Sequence, residues 1–282
     1  VLDLQGKVAV ITGAASGIGL ATAWRLAEEK MRLVLADSDE SELQAASAGL
    51  EAAGHTVLGV PTDVARAEDV ERLAGICQER FGPIHLLFNN AGVTRHTGQA
   101  VWELSLDDWS WLLGVNLQGV IFGLHFFVPA MLAHGQPAHI VNTASLAGLL
   151  PGCGAYGASK HAVVSLTESL HCDLRQRGSR IGVSCLCPGL VRTRIARAPS
   201  GRPESEQQLA FRHRIEQSTQ KHGVPPEKVA QALWDGIQAG RFYLTPGANP
   251  AELEALLGRP LAVRSGDPPL PPPLPSQTNE ET

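Results

Sequence analysis

Residues 7–19 read Lys-Val-Ala-Val-Ile-Thr-Gly-Ala-Ala-Ser-Gly-Ile-Gly, and they decide the fold. Lys7–Thr12 is a short apolar run, Thr12-Gly13-Ala14-Ala15-Ser16-Gly17-Ile18-Gly19 is a glycine-rich turn, and Leu20–Lys30 has a helical pattern. A strand that opens through glycines into a helix aims backbone N–H groups and the positive end of the helix dipole at one point, which suits a pyrophosphate. Gly13 allows the tight turn, Gly17 lets backbone approach the anion, and Gly19 lets helix and sheet pack closely. No Lys-Ser/Thr pair follows Gly19, which argues against a nucleoside-triphosphate loop.

The same alternation continues outward from this turn. Arg32–Ala36, Val57–Thr62, Ile84–Asn89, His139–Thr143 and Ile181–Cys187 are strand-like runs, and Phe242–Thr245 is a candidate seventh. Several lack the alternating polarity of a half-exposed strand, as expected for parallel strands covered on both faces. Between them, Leu43, Ala46 and Leu50 share one helical face, as do Val70, Leu73 and Cys77, and Val229, Leu233 and Ile237. Asp107–Leu132 predicts one long apolar helix, bent near Pro129. The expected fold is α/β: a single doubly wound parallel sheet, Rossmann-like, with helices on both faces.

Composition narrows the function classes. The 282 residues are 44% hydrophobic and 18% charged, with a formal net charge of −5, enough to bury a sizeable core. The acidic balance argues against a nucleic-acid or membrane-surface binder. Val115–Leu132 is the most membrane-like stretch, but Asn116, Gln118, His125 and Pro129 interrupt it, and a buried helix is expected. The chain opens without a basic start and long apolar run, so a cytoplasmic enzyme is the expectation. The five cysteines are read as small buried hydrophobes in a reducing compartment, and the ten histidines lack metal-ligand spacing, so no metal is expected.

Two stretches break the alternation. Residues 193–224 are polar and Arg-rich and read as a substrate lid on a domain spanning residues 1–248. Residues 249–282 read as a C-terminal extension, with a proline-rich tail that favours disorder or polyproline II from about residue 265.

Asp37 ends the second strand, where a carboxylate can accept bonds from adenosine ribose hydroxyls; an exposed turn aspartate is the plain alternative. A carboxylate there repels a 2′-phosphate, and Ala14, Ala15, Ser16 and Ser38 supply no cation, so NAD(H) is expected over NADP(H).

Tyr156-Gly157-Ala158-Ser159-Lys160 opens a helical pattern and puts tyrosine and lysine on one face. A free phenol titrates at about 10, and a nearby ammonium favours the phenolate. Such a pair can exchange a proton with an alcohol or carbonyl oxygen, though on sequence alone a solvated surface pair is the commoner case. Ser145 follows the fifth strand at the carboxyl edge of the sheet, where a hydroxyl can bond a developing alkoxide or simply cap a turn.

From Leu4 to Thr245 the chain resembles the short-chain dehydrogenase/reductase family, in the subtype of about 250 residues. The motifs carrying that resemblance are Thr12–Gly19, Asp63-Val64, Asn89-Asn90-Ala91-Gly92, Asn116, Ser145, Tyr156 with Lys160, and Pro188-Gly189 with Thr193. The resemblance implies that Tyr156 is the general acid/base and that Ser145 orients the reacting oxygen. Lys160 would hold the nicotinamide ribose and tune the tyrosine, and Asn116 would anchor a water-linked proton path. Asp63 and Val64 would meet adenine, Asn90, Ala91 and Gly92 would border the cofactor, and Pro188, Gly189, Val191 and Thr193 would line the carboxamide end. The segment beyond Thr245 departs from the family pattern, so oligomer contacts there do not carry over.

Val93, Leu146, Leu149, Leu150, Cys153, Leu190 and Ile195 sit beside these motifs and are expected to face substrate. They are mostly apolar, which fits a secondary alcohol or ketone on an apolar ring or chain. Arg95, Arg194 and Arg197 are the residues that would instead greet a carboxylate. A sugar or polyol dehydrogenase and a 3-oxoacyl-thioester reductase are the enzymatic alternatives, and a non-catalytic dinucleotide-binding regulator is the alternative of another class. The partners expected are a small-molecule substrate and further copies of the chain, as a homodimer or homotetramer.

Overall fold

A computed structural model describes residues 2–95, 98–197 and 205–256; the side chain of Arg197 and the proline-rich tail lie outside the described residues. Seven parallel strands form one sheet in the order β3-β2-β1-β4-β5-β6-β7. They are β1 Val8–Thr12, β2 Arg32–Asp37, β3 Val57–Pro61, β4 Ile84–Asn89, β5 Ala138–Thr143, β6 Ile181–Leu186 and β7 Tyr243–Leu244. The helices are α1 Gly17–Glu28, α2 Glu40–Ala52, α3 Ala67–Phe81, α4 Leu106–Leu113, α5 Gly119–Ala133, α6 Gly154–Gln176, α7 Glu206–His222 and α8 Pro226–Gln238. The strand order reverses between β1 and β4, which opens a crevice at their carboxyl ends.

Both faces of the sheet are buried, which explains the unbroken apolar runs. Ala9, Ile11, Leu33, Leu35, Leu86 and Phe88 pack with Leu26 of α1, Leu43 and Leu50 of α2, and Leu233 of α8. The alternate residues Val8, Val10, Val34, Ile84 and Leu87 pack with Leu73 of α3, Phe127 and Met131 of α5, and Leu174 of α6. Removing that apolar area from water is the main term holding the layers together.

The structure departs from the sequence expectations in two helical regions. The stretch 107–132 is one continuous helical run, as expected, but a π-helical turn, Gly114–Gln118, interrupts it between α4 and α5, and α5 continues through Pro129. The wider turn sets Asn116 inward, fully buried. By length and composition Leu106–Ala133 could cross a membrane, yet Phe127 and Met131 are buried against the sheet. The stretch 193–224 contains a helix, α7, which starts on a capping box formed by Ser205 and Gln208.

Candidate active site

The glycine turn fits a dinucleotide phosphate. Gly13 has φ +64, and a Cβ on it would lie 2.7 Å from Ala91 Cα. A Cβ on Gly19 would lie 2.1 Å from Gly13 O, so the turn packs closely enough to exclude any side chain there. Ser16 caps α1 in extended conformation without a side-chain bond, and the first turn of α1 carries no acid. The first turns of α2, α3 and α4 all carry acids. The positive end of α1 is thus the one among these four left for an external anion.

Polar side chains beneath the turn fix its shape. Asn90 Nδ2 donates to Thr12 O at 3.0 Å and Gly13 O at 3.2 Å, while Thr12 Oγ1 accepts from the backbone N–H of Asn90 at 2.9 Å and of Ala91 at 3.1 Å. Asp37 Oδ2 accepts from Ala15 N at 3.0 Å, which ties the tip of β2 to the turn. Asp63 accepts from Ala65 N at 3.0 Å, and Val64 is buried, its side chain against Gly119.

Ser145, Tyr156, Lys160 and Asn116 converge at the carboxyl edge of β5. Ser145 is extended just past the strand, accepts from Ala147 N at 3.1 Å, and is hydrogen-bonded to Tyr156. Tyr156 lies in the first turn of α6, half-buried. Lys160, one turn on, is buried; its Nζ donates to Thr143 O at 2.9 Å and sits 5.8 Å from the centre of the Tyr156 ring. Gly92 makes room for both partners: a Cβ there would be 3.3 Å from Lys160 Nζ and 3.4 Å from Asn116 Oδ1.

Asn116 ties three elements together. Its Oδ1 accepts from Val93 N at 2.8 Å, and its Nδ2 donates to Val93 O and to Ser159 Oγ, each at 3.0 Å. Ser159 in turn donates to Tyr156 O at 2.7 Å, so the Asn116 side chain braces the helix that carries the tyrosine.

The electrostatics differ from the sequence expectation. Burial pushes the Tyr156 phenol up to about 12, and the Ser145 hydrogen bond acts in the opposite direction. Burial also lowers Lys160 to about 8, and the Cys185 and Cys187 thiols oppose that shift. The ammonium faces the Thr143 carbonyl and the ring, and the phenol of the protein as it stands is a proton donor at neutral pH.

The apolar wall is only partly as expected. Val93, Leu149, Cys153 and Ile195 are half-buried and Leu190 is exposed, but Leu146 and Leu150 are shut into the core. Sequence reading missed Val101 and Trp102, which are exposed between β4 and α4, with Trp102 at 83%, and Leu106, exposed at the start of α4. Val101 Cγ1 lies 4.0 Å from where a Cβ on Gly154 would sit, beside the helix turn that carries Tyr156. The Val101-Trp102 pair in the connection before α4 was the available signal.

Two of the three arginines, Arg95 and Arg194, are paired with carboxylates. Arg95 is buried against Asp108, Nε to Oδ1 3.4 Å, and Arg194 pairs with Glu42. The cysteines also divide: Cys77, Cys185 and Cys187 are buried, Cys153 is half-buried and Cys172 is exposed.

Comparison with known proteins places these features. Residues 7–202 match the family model described as short chain dehydrogenase. The 1-deoxy-11-beta-hydroxypentalenate dehydrogenase of Streptomyces exfoliatus is 38% identical, over 86% of this chain and 84% of that protein. The C alpha-dehydrogenase of Sphingobium sp. strain NBRC 103272 / SYK-6 is 35% identical, over 86% of this chain and 81% of that protein. A short chain dehydrogenase/reductase from Burkholderia phymatum, solved in complex with NAD, is 43% identical with a TM-score of 0.91, covering 97% of this chain and all of that one (100%).

Proposed function

Because the chain belongs to the short-chain dehydrogenase/reductase family, and is therefore an oxidoreductase acting on CH–OH groups with a nicotinamide dinucleotide, we propose that it interconverts an apolar secondary alcohol and its ketone with NAD(H), using Tyr156 as the acid/base. The observation that carries this reading is the Tyr156 hydroxyl bonded to Ser145 with the Lys160 ammonium over its ring.

Gly13, Ser16, Gly17, Ile18 and Gly19 would hold the pyrophosphate, and Asp37 the adenosine ribose. Asp63 and Val64 would flank adenine, and Asn90, Ala91 and Gly92 the middle of the cofactor. Lys160 would hold the nicotinamide ribose, with Pro188, Gly189, Val191 and Thr193 at the carboxamide. When bound, the dinucleotide supplies the hydride acceptor or donor and, in its oxidised form, a positive charge.

The proton is the work of the chain's own residues. In reduction Tyr156 donates its phenolic proton to the carbonyl oxygen while the Ser145 hydroxyl orients that oxygen. In oxidation Tyr156 takes the alcohol proton, which requires the phenolate, and nearby positive charge favours that form. Asn116 acts as a positioning residue for the tyrosine helix turn. Val101, which approaches Gly154 at the start of α6, supports an apolar substrate, since a polyol would leave hydroxyls unpaired against it.

NAD(H) preference rests on Asp37 and on charge balance around it. The cation that the fold brings near it, Arg194, is held by both oxygens of Glu42. The test is absorbance at 340 nm over an alcohol and ketone panel, run with NAD(H) and NADP(H) in parallel. Turnover of an apolar secondary alcohol with higher kcat/KM for NAD is expected. A higher kcat/KM for NADP overturns the preference, and turnover confined to sugars or thioesters overturns the substrate class.

A further inference from the structure

The chain after β6 crosses over the glycine turn. A Cβ added to Gly17 would come within 3.0 Å of Thr193 Cγ2, so residue 193 lies directly on the turn. The next residue, Arg194, reaches beyond it to the first turn of α2. Its Nη1 donates to Glu42 Oε1 at 3.1 Å and its Nη2 to Glu42 Oε2 at 3.0 Å. The partners are 152 residues apart in sequence, Glu42 in α2 beyond the tip of β2 and Arg194 in the segment after β6 that lies on the glycine turn. Glu42 follows the tip of β2, where Asp37 marks the adenosine side; Arg194 follows Thr193 on the carboxamide side.

We propose that Glu42 and Arg194 form a clasp across the dinucleotide crevice that retains the bound cofactor and sets its rate of departure. The clasp rests on the reading that this crevice takes a nicotinamide dinucleotide. Two parallel hydrogen bonds fix the guanidinium in one orientation, which a lysine at the same place would not. The side chains are 54% and 45% exposed, so the pair adds little to folding, and its effect lies in where it stands. Each partner reinforces the other's charge: Arg194 holds Glu42 low, and Glu42, with Asp39 and Asp37, holds Arg194 high. A dinucleotide lying along the turn leaves once this contact opens.

The experiment is stopped-flow displacement of NADH, followed by its fluorescence, in the unsubstituted enzyme, Glu42→Gln, Arg194→Gln and the double variant, at low and high salt. Each single variant is expected to speed release about three- to fivefold, the range open to an exposed bidentate pair. The double variant should release no faster than either single one, because one contact is lost in all three. Release from the unsubstituted enzyme should quicken with salt toward the variants' rate. Normal NADH binding with unchanged or additive rates overturns the clasp alone. Slower release in Glu42→Gln with faster release in Arg194→Gln also overturns it, because Arg194 would then be a direct phosphate ligand freed by losing Glu42. Absence of NADH binding in the unsubstituted enzyme contradicts the cofactor reading and the clasp with it.

Discussion

Strand β5 begins near His139 and ends at Thr143, and its two ends hold buried polar groups of different kinds. At the amino end, His139 Nε2 meets Ser184 Oγ at 2.9 Å, and Ser184 donates to Arg241 O at 2.6 Å. Because the serine proton goes to that carbonyl, the imidazole must be the donor at Nε2, and it is neutral. At the carboxyl end, the Thr143 carbonyl holds the Lys160 ammonium, and Tyr156 beside it is only half-buried. Burial moves all three titratable groups toward their neutral forms, His139 to about 4, Lys160 to about 8 and Tyr156 to about 12. The amino-end cluster is closed and its proton chemistry can act only on stability. The carboxyl-end cluster opens onto the crevice, so its proton chemistry can act on a substrate.

The largest effect that separates the two ends is loss of the Tyr156 hydroxyl. Tyr156→Phe should lower turnover about a thousandfold while NADH binding and thermal stability stay close to the parent. Turnover within a few-fold of the parent would remove Tyr156 from the chemistry.

The His139 end predicts the converse, a stability effect without a catalytic one. Its folded-state pKa of about 4 lies below the ordinary 6.5, so the unfolded chain binds the extra proton between those values. Stability is therefore complete above pH 6.5 and falls as pH drops toward 4, by about 3 kcal/mol from this group. Urea unfolding across that window should show the slope, and His139→Asn should flatten it. An equal slope in the variant would assign the acid sensitivity to other groups.

Asn116 is the intermediate case, a buried brace that serves the open end. Asn116→Ala leaves Val93 N–H, Val93 C=O and Ser159 Oγ short of partners and should cost about 2 kcal/mol in urea unfolding. It should also lower kcat more than it raises KM, since the helix turn bearing Tyr156 loses its support. A stability loss with kcat unchanged would confine Asn116 to folding.

The closed, apolar part of the molecule was the legible part. Strands covered on both faces leave continuous runs, and six of them were placed to within a residue or two, from Val8–Thr12 to Ile181–Leu186. Helix α7 was not seen because it has no apolar stripe; Thr219 is the sole buried residue described in it. The spacing of Ser205 and Gln208 was the signal that could have found it. The π turn at Asn116 was out of reach because its cause is tertiary, the bonds to Val93 and Ser159. The side chains of the proposed site were present in the sequence as residue types in order, but their charges were not legible there. The helix spacing puts Lys160 beside Tyr156, yet the ammonium turns to Thr143, a contact fixed by the packing of α6 on β5. The engagement of Arg95 by Asp108 and of Arg194 by Glu42 likewise needs the folded chain.

The most direct test of Tyr156 as proton partner is the pH dependence of kcat/KM for alcohol oxidation, measured beside that for ketone reduction. Oxidation needs the phenolate, so its kcat/KM should rise about tenfold per pH unit below the tyrosine's pKa with the oxidised dinucleotide bound, while reduction stays level over the same range. A pH-independent oxidation rate, or the same rise surviving in Tyr156→Phe, would contradict the account.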